Sequence, residues 1–564
     1  MTDKRPNMVV AAFRMAKPYF TQSNERGMAW TLLILVILLN LALVTFSVAF
    51  TYWYRDFYNA LQNKDWDAFV YNLGYFGVLA FAQIATFLTE FYVNRMLYIR
   101  WRTWLTDRYL QRWLENQSYY RLQHGATPVD NPDQRVSEDT RWFVHYSMTL
   151  GLGLMRSVVS LFSFVGLLWA ISGDLTVPLP GGGSFTIPSY MLWVAILYAV
   201  AGTWITHLIG RPLIPINFQK EQVEANFRFS LVRFRENTEA VALYGGEDSE
   251  MKDFRLRFRD VIANFRALVV RNLKLSTFTN FYAQLSTIFP FVVASPRYFS
   301  GAIQLGDLMQ ISTAFDRVQG ALSYFIDAYD TIAAWRAVID RLEGFDNALI
   351  GANAIRSGVV TAAAADGALA ASGIDLALPG GQPLQRGLDL RIEPGERVLV
   401  TGRSGSGKST LFRTIAGLWP FARGRIALPP GRAMFLPQKP YMPLGTLRAA
   451  LAYPEPDTPA TDAELAEILT DLGLPRLADE LHTVRAWSQE LSGGELQRVA
   501  FARVLLKKPD WVFMDESTSA LDTEAEALLY RLLSERLPNA TVVSIGHRPS
   551  LEAMHDRKVV LEPA

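Results

Sequence analysis

The chain has 564 residues, of which 50% are hydrophobic, and its mean hydropathy is +0.11. Because soluble domains are usually less apolar, this composition favours a membrane protein with a soluble part, long enough for two or three domains. The net charge of +1 gives no reason to expect a nucleic-acid partner, and the absence of cysteine excludes disulfides, thiolate metal sites and cysteine nucleophiles.

The N-terminal stretch MTDKRPNMVVAAFRMAKPYF is basic and amphipathic. It lacks the apolar core and the small-residue cleavage site of a secretory signal peptide. We therefore expect a short helix that lies on the inner face of the membrane.

Six later stretches are each long enough to cross a bilayer, which takes about 20 residues in a helix. They are Met28–Phe50, Ala68–Tyr92, Tyr146–Ile171, Pro188–Ile209, Phe278–Phe299 and Leu305–Ala334. The last two are more polar than the first four. In the sixth, Asp316 and Arg317 are candidates for the wall of a water-filled cavity, because ionisable groups at membrane depth usually face water. The alternative is that they pair with each other or lie near the interface.

Four other ionisable residues lie in or near these stretches. Glu90 and Arg95, close to the end of the second stretch, are expected at the membrane interface. Arg156 and His207 are expected to reach toward the interface or to bond a neighbouring helix.

The distribution of basic residues predicts the orientation of the chain. Residues 95–141 hold eight arginines and Arg211–Lys274 hold twelve Lys or Arg, against three basic residues in the opposite loops. Because basic loops stay in the cytosol, we expect both long loops and both termini inside, and Gly173–Ser189 outside.

Each long cytosolic loop contains a polar break. Arg95–Leu122 and Phe218–Val270 otherwise have aromatic and aliphatic residues at helical spacing, which predicts helices continued beyond the membrane. The breaks are DNPDQRVSEDT at Asp130–Thr140 and ENTEAVALYGGEDSE at Glu236–Glu250. At about 1.5 Å per residue, the helices would carry both breaks well into the cytosol.

The composition changes after residue 345. Gly351–Gly373 is rich in Ala and Gly, which is typical of a flexible linker or of a weakly packed segment that leads into the next domain. From Ile374 onward, short β-branched runs alternate with helical stretches, as in an α/β domain. We therefore divide the chain into a membrane domain (1–345), a linker (346–372) and an α/β nucleotide-binding domain (373–564).

The segment TGRSGSGKST fits the phosphate-loop pattern G-x-x-x-x-G-K-[ST]. It follows a predicted strand, Arg397–Val400, and opens a predicted helix, Ser409–Ala416, where backbone N–H groups and the helix dipole favour phosphate. Lys408 is expected to reach the β- and γ-phosphates, and Ser409 to ligate Mg²⁺. The residues predicted to bind ATP here are Gly402, Arg403, Ser404, Gly405, Ser406, Gly407, Lys408, Ser409 and Thr410.

Two further motifs complete this chemistry. WVFMDE is a buried strand that ends in Asp515, a predicted Mg²⁺ ligand, and Glu516, which is placed to polarise the attacking water. LSGGELQR opens a second helix whose N-terminus can bind phosphate, and a head-to-tail dimer would bring it to the other chain's phosphate loop. Its predicted ATP-binding residues are Ser492, Gly493, Gly494 and Glu495.

These motifs resemble those of the ATP-binding-cassette family. The resemblance extends to FLPQKP with Gln438, SALD with Asp522 and IGHRP with His547. It implies that Gln438 contacts Mg²⁺ and couples to the membrane domain, that Asp522 belongs to the ATP site, and that His547 is catalytic and senses the γ-phosphate. Leu378 stands where the family usually has an aromatic residue that stacks on adenine.

The resemblance also implies an architecture. Six spans and one cassette make half a transporter, so we expect an exporter-like helical domain with domain-swapped helices, fused to the α/β domain and working as a homodimer. The two polar breaks would dock on the nucleotide domains, unless they are solvated loops. The candidate coupling residues are Asp130, Asn131, Pro132, Asp133, Gln134, Arg135, Glu239, Tyr244, Gly245, Gly246 and Glu247.

NPDQR, ALYGGE and Trp487 before the LSGGE motif look like the SbmA/BacA-like (YddA-like) bacterial branch, which is akin to peroxisomal fatty-acyl transporters. That resemblance implies the bacterial inner membrane, contact with its lipids, ATP and Mg²⁺ as cofactors, and uptake of hydrophilic cargo such as cobalamin-like molecules or antimicrobial peptides. A lipid, acyl-chain or multidrug exporter and a ligand-sensing membrane ATPase remain alternatives. The cargo, the direction, the ATP stoichiometry and any proton coupling stay open.

Overall fold

The computed structural model describes residues 7–124, 131–179 and 183–563. The chain forms two compact units. The helical unit comprises Met1–Leu110 and Asn131–Phe345, and the α/β unit comprises Gln111–Asp130 and Asp346–Ala564.

The helices of the described residues are numbered in chain order. They are α1 (Met8–Gln22), α2 (Arg26–Asn63), α3 (Trp66–Leu114), α4 (Ser118–Arg121), α5 (Pro132–Gln134), α6 (Thr140–Ser172), α7 (Tyr190–Gly210), α8 (Leu213–Glu236), α9 (Thr238–Tyr244), α10 (Glu247–Phe299), α11 (Leu305–Asp327), α12 (Tyr329–Ala354), α13 (Lys408–Ile415), α14 (Leu447–Ala452), α15 (Asp462–Asp471), α16 (Trp487–Glu490), α17 (Gly493–Lys507) and α18 (Thr523–Arg536).

The strands are numbered in the same way. They are β1 (Leu175–Leu179), β2 (Gly183–Ile187), β3 (Gly358–Ala363), β4 (Leu369–Ala377), β5 (Pro383–Ile392), β6 (Arg397–Gly402), β7 (Ala422–Leu428), β8 (Ala433–Leu436), β9 (Gly445–Thr446), β10 (Val484–Arg485), β11 (Trp511–Asp515), β12 (Thr541–Ile545) and β13 (Arg557–Leu561).

Four of the described helices, α2, α3, α6 and α7, are long and apolar enough, by length and composition alone, to cross a membrane. The predicted fifth stretch lies in α10. The predicted sixth, Leu305–Ala334, is not one helix, because α11 ends at Asp327 and α12 begins at Tyr329. Phe164, Met191 and Phe315 are fully buried in a core shared by α6, α7 and α11, so α11 packs against strongly apolar neighbours.

The predicted helical extensions are present, and the second polar break is confirmed. In the first predicted break, the described residues form a short helix from Pro132 and a π-helical turn that ends at Asp139. The helix α3 continues to Leu114, and α8 ends at Glu236. After α9, Gly245 adopts φ +63° and its N–H bonds to Ala242, which ends that helix before α10 begins. The expected outer loop contains a feature that the sequence did not indicate, an antiparallel hairpin of β1 and β2.

The α/β unit contains a parallel sheet with the strand order β13-β6-β12-β11-β8. The predicted strands before the phosphate loop and before Glu516 are confirmed as β6 and β11, which flank β12 at the sheet's centre. A second sheet has the order β3-β7-β4-β5 and is antiparallel except for the pair β3–β7.

The predicted flexible linker, residues 346–372, is wrong as a description of local structure. It contains the last turns of α12, all of β3 and the start of β4. Ala368, Leu369 and Ala371 are each at most 2% exposed, because β4 is paired on both sides, with β5 and β7. The small side chains of this segment pack in a sheet and do not indicate a flexible linker.

Candidate functional site

The phosphate loop runs from the end of β6 into α13. Gly402, Gly405 and Gly407 have φ values of 149°, 81° and 89°, which side chains rarely tolerate. At Gly402, a Cβ would lie 2.3 Å from the carbonyl oxygen of Leu561. The loop therefore curls tightly enough for successive backbone N–H groups to face an anion.

Lys408 is held inside this loop and is only 7% exposed. Its Nζ donates to the carbonyl oxygens of Gly402 at 2.8 Å and Arg403 at 3.0 Å. Burial lowers the pKa of Lys408, against the opposing effect of Glu516 and Asp515. A phosphate group would give the ammonium the anionic partner that the backbone carbonyls only approximate.

Gln385 supports the phosphate loop, and sequence reasoning did not find it. Gln385, on β5, is 6% exposed, and its Nε2 donates to the carbonyl oxygens of Ser406 at 2.7 Å and Glu562 at 2.6 Å. Ser406 also has a buried hydroxyl oxygen without a partner among the described residues. Gln385 thus ties the loop to the chain segment that follows β13.

Ser409 and Asp515 meet at the carboxyl edge of the parallel sheet. Ser409 Oγ donates to Asp515 Oδ1 at 2.9 Å. Burial raises the pKa of Asp515, although the hydrogen bond from Ser409 and the nearby Arg413 act in the opposite direction. A hydroxyl and a desolvated carboxylate side by side offer hard oxygen ligands to a cation.

Glu516 lies at the centre of the predicted catalytic group. Gln438 Nε2 donates to Glu516 Oε2 at 3.0 Å, and His547 Nε2 lies 3.6 Å from Glu516 Oε1. Glu516 has φ +47°, and its N–H bonds to the carbonyl oxygen of Ile545 on β12. This uncommon backbone conformation for a non-glycine residue turns the carboxylate off the strand end. The structure thus brings together Glu516, Gln438 and His547.

The LSGGE segment begins α17 with a reciprocal cap. Ser492 Oγ accepts from the N–H of Glu495 at 3.3 Å, while Glu495 Oε2 accepts from the N–H of Ser492 at 2.9 Å. Arg476 Nη2 donates to Glu495 Oε1 at 2.7 Å and, as the largest cause, lowers the pKa of Glu495 to about 2. Behind the cap, a Cβ on Gly494 would lie 3.2 Å from the carbonyl oxygen of Ala520. Glu495 is therefore occupied in holding the helix start.

The segment after Glu516 is held by Asp522, which was predicted from the sequence, and by Arg548, which was not. Asp522 caps α18 through the N–H of Ala525 at 2.7 Å. Arg548, next to His547, donates to the carbonyl oxygens of Ser519 at 2.9 Å and Leu521 at 2.6 Å. The pair H-R in IGHRP is the signal that could have indicated this, but the acceptors are backbone atoms.

Trp487 and Leu378, which the sequence analysis compared with family motifs, differ in their burial. Trp487 is 1% exposed, and its Nε1 donates to the carbonyl oxygen of Gly445 at 3.1 Å, so it is a core residue. Leu378 is 37% exposed in the turn between β4 and β5, where Gly381 donates to its carbonyl oxygen. It offers a small aliphatic surface.

Side chains of the first polar break form hydrogen bonds within the helical unit. Asp130 lies outside the described residues. Asn131 adopts φ +47° ahead of the short helix α5. Arg135 Nη1 donates to Asp139 Oδ2 at 2.8 Å, and Asp139 also accepts from Arg341 Nη2 at 2.5 Å. The coupling role of Asn131, Pro132, Asp133, Gln134 and Arg135 stays a prediction.

A segment just upstream of this break belongs to the α/β unit and was not singled out from the sequence. Ser118 is fully buried, and its Oγ donates to Asn353 Oδ1 at 2.9 Å. The ring of His124 meets the ring of Trp419 edge-on, with centroids 5.0 Å apart. Burial lowers the pKa of His124, and Arg413 lowers it further.

The second polar break presents its apolar residues to solvent. Tyr244 is 88% exposed and Leu243 is 79% exposed at the end of α9. Gly245 and Gly246 make the turn that follows. Coupling by Glu239, Tyr244, Gly245, Gly246 and Glu247 stays a prediction, as does the cavity role of Asp316 and Arg317, both exposed on α11.

Comparisons with known proteins agree with this geometry. The profile of the family described as "ABC transporter transmembrane region 2" matches residues 15–299, and that of "ABC transporter" matches residues 385–519. An ABC transporter ATP-binding protein of Haemophilus influenzae is 35% identical over 94% of this chain and 88% of its own length. The inner membrane ABC transporter ATP-binding protein YddA of Escherichia coli is 32% identical over 97% of both chains.

Two further similarities are more distant. The human lysosomal cobalamin transporter ABCD4 is 28% identical over 89% of this chain and 86% of its own length. The solved structure of a bacterial Atm1-family ABC exporter with ATP bound superposes with a TM-score of 0.69, covering 96% of this chain and 95% of that one at 19% identity. The latter likeness shows the fold.

The chain therefore belongs to the ABC transporter family, as a half-transporter of the type that includes YddA and ABCD4. It is a multi-pass membrane protein with an ATP-binding domain that hydrolyses ATP, and this hydrolysis drives transport across the membrane.

Proposed function

We propose that this protein is a homodimeric uptake transporter for hydrophilic compounds in a bacterial inner membrane, of the SbmA/BacA-like branch. One observation carries the proposal. The groups for ATP chemistry, Lys408, the Ser409–Asp515 pair and Glu516 with Gln438, converge in a chain with four membrane-length apolar helices.

The nucleotide site fits Mg-ATP. The described residues contain no cluster of three or more His, Cys, Asp or Glu side chains suited to a metal, so a cation would complete its shell with phosphate oxygens and water. Ser409 and Asp515 would hold it, and burial of the Asp515 carboxylate favours such a partner. Gln438 would join them. When bound, Mg²⁺ would supply positive charge to neutralise the phosphates, and Glu516 would orient the attacking water.

We infer the dimer from the placement of the LSGGE cap. Ser492, Gly493 and Gly494 start a helix in which Glu495 is committed to the cap and to Arg476. The remaining N–H groups of this helix start are suited to the γ-phosphate of an ATP bound by the phosphate loop of a second copy.

The membrane topology is proposed with six spans. The first four spans are α2, α3, α6 and α7. The fifth lies in the apolar part of α10, and the sixth is α11, which packs on a fully buried core. Both termini and the α/β unit are cytosolic on the basic-residue rule, and the helices are exchanged between subunits as in exporter-shaped transporters.

We propose that coupling uses both cytosolic loops. The highly exposed Leu243 and Tyr244 are suited to dock on a partner's nucleotide domain. In the first loop, the contact of His124 with Trp419 supports a docking element just ahead of Pro132–Arg135.

A hydrophilic cargo is supported by similarity to a protein named a cobalamin transporter. Uptake is the direction that the resemblance to the SbmA/BacA-like branch implies. The alternatives are a lipid, acyl-chain or multidrug exporter and a ligand-sensing ATPase that transports nothing.

The test is transport in liposomes with Mg-ATP outside, so that only molecules with outward-facing nucleotide domains work. Labelled cyanocobalamin and a labelled proline-rich peptide are either preloaded or added outside, with Glu516→Gln as the control. ATP-dependent loss of preloaded label corresponds to uptake in the cell and supports the proposal. Accumulation inside means export, and ATP hydrolysis without movement of either compound favours the lipid alternative. Either result overturns the proposal.

A further inference from the structure

The helical unit contains a cavity of about 480 Å³ with several charged side chains in its wall, and none of the candidate cargo residues predicted from the sequence lines it. It lies between α3, α6 and the region where α11 gives way to α12. The ionisable side chains in its wall are Glu90, Arg95, His145, Arg156 and Asp327. Its volume is in the range of small-molecule binding sites.

The innermost charges of the cavity lie beside Asn40 of α2. Asn40, which is 0% exposed, stands near the middle of the first apolar stretch of α2. Its Nδ2 donates to Glu90 Oε1 at 3.0 Å, and Glu90 is 6% exposed. A hydrogen bond of this length places the Glu90 carboxylate at the level of Asn40.

The Asn40 amide bridges opposite charges. Its Oδ1 accepts from Arg156 Nε at 3.2 Å, while Asn94 Nδ2 donates to the same Glu90 oxygen at 3.0 Å. Two amide donors reduce the cost of desolvating the carboxylate. Arg156 is exposed, so its guanidinium keeps N–H groups for a further acceptor.

The opposite wall is shaped for this arrangement. Tyr324 reaches across α6 and donates its hydroxyl to the carbonyl oxygen of Leu150 at 2.9 Å. It can do so because residue 153 is glycine, where a Cβ would lie 2.7 Å from that hydroxyl. Asp327 and Thr331 continue the polar surface one turn or two beyond Tyr324.

We propose that this cavity is the cargo-binding site, with Arg156 and Glu90 as its inner recognition groups and Arg95 and Asp327 as its outer ones. The wall carries two guanidiniums, two carboxylates and an imidazole, so it matches a solute that bears both charge signs and many amide groups. A purely apolar acyl chain would leave these charges desolvated and unpaired. This site deepens, and rests on, the uptake function proposed above.

Two amide-rich solutes, a corrinoid and a peptide, have this shared chemistry, and the transport assay distinguishes them as separate probes. The variants are Glu90→Gln and Arg156→Gln, with Arg156→Lys as the conservative version. The matched controls are Glu25→Gln and Arg100→Gln. Glu25 and Arg100 form an ion pair outside the cavity, with 3.0 Å between their charged atoms. Movement of cyanocobalamin or the proline-rich peptide is expressed per ATP hydrolysed.

We expect Arg156→Gln and Glu90→Gln to lower transport per ATP at least tenfold for the transported probe, with partial recovery in Arg156→Lys and no change in either control. Wild-type rates in both Gln variants would overturn the site while leaving the uptake function intact. A wild type that hydrolyses ATP but moves neither probe would overturn the uptake function and the assigned cargo class together.

A second measurement tests the site even if the Glu90 and Arg156 variants fail to fold. Because the chain has no cysteine, Thr331→Cys introduces a single thiol in the cavity wall. We expect it to react with both cationic and anionic thiosulfonate reagents in the full-length protein, and saturating amounts of the transported probe to slow this at least fivefold. A thiol that is unreactive, or that the transported probe does not protect, would overturn the site.

Discussion

Arg548→Ala tests whether the residue next to His547 holds the segment after Glu516. Arg548 donates to the carbonyl oxygens of Ser519 and Leu521 at 2.9 and 2.6 Å. It also lies 3.8 Å from Oε1 of Glu526, which is 0% exposed. That carboxylate in turn accepts hydrogen bonds from Thr518 and Ser550, both at 2.7 Å. Arg548 therefore ties the His547 segment to the segment that contains Asp522.

The two hydrogen bonds of Arg548 determine the expected change in free energy. A hydrogen bond involving a charged group contributes about 1.5–3 kcal/mol to stability, but Arg548 is 39% exposed, so solvent screening reduces each bond to about 1 kcal/mol. Loss of both bonds destabilises the closed form of this segment by about 2 kcal/mol. Since 1.4 kcal/mol is a factor of ten, amide hydrogen exchange in residues 517–523 should become about 30-fold faster.

The assay is hydrogen exchange measured by mass spectrometry on the full-length protein in lipid nanodiscs. Arg536→Ala is the control, because Arg536 pairs with surface acids, including Glu467 at 2.8 Å, and should leave exchange in residues 517–523 within twofold of the wild type. The ATPase kcat of Arg548→Ala should fall more than its KM rises. Unchanged exchange in residues 517–523 would refute the reasoning.

Three other changes test separate parts of the structure. Glu516→Gln should reduce ATP turnover by at least a hundredfold while ATP stays bound, and normal single-turnover rates would remove it as the catalytic base. The Glu495 cap stabilises α17 above pH 4.5 and loses that contribution as the pH falls toward about 2, because the pKa of this carboxyl is lowered from 4.5 to about 2; acid unfolding of Glu495→Gln should lack that component. Gly153→Ala should lower stability by about 1–3 kcal/mol in thermal unfolding, since its Cβ would collide with Tyr324, and an unchanged melting curve would contradict the packing.

The nucleotide site was largely predictable because its chemistry is local. In GRSGSGKS, the glycines, Lys408 and Ser409 are adjacent in sequence, and the strand-to-helix turn requires them at fixed spacing. The helix start at LSGGE was predicted for the same reason, but the reciprocal cap between Ser492 and Glu495 was not, although both partners lie within one helical turn. The apolar stretches likewise predict α2, α3, α6 and α7 by length alone.

The features that were missed depend on partners distant in sequence. Gln385 supports the phosphate loop through Glu562, 177 residues away, and a lone Gln before the loop gives no signal. Glu90 accepts a hydrogen bond from Asn40, 50 residues earlier in the chain, and no local pattern around Glu90 indicates that partner. The Ala-rich linker was misread because small residues also fit strands paired on both sides.

The helix α13 provides a physical link between the phosphate loop and the segment that contains His124. Its N-terminus carries Lys408 and Ser409, and Trp419, four residues beyond its end, meets His124. Arg413 on the same helix adds to the effect of burial in lowering the pKa of His124, whereas at Asp515 it opposes the effect of burial, which raises the pKa of that carboxyl. Any shift of α13 on binding Mg-ATP therefore moves charge and ring surface beneath His124. Rigid packing of this kind transmits a small displacement without a flexible intermediate.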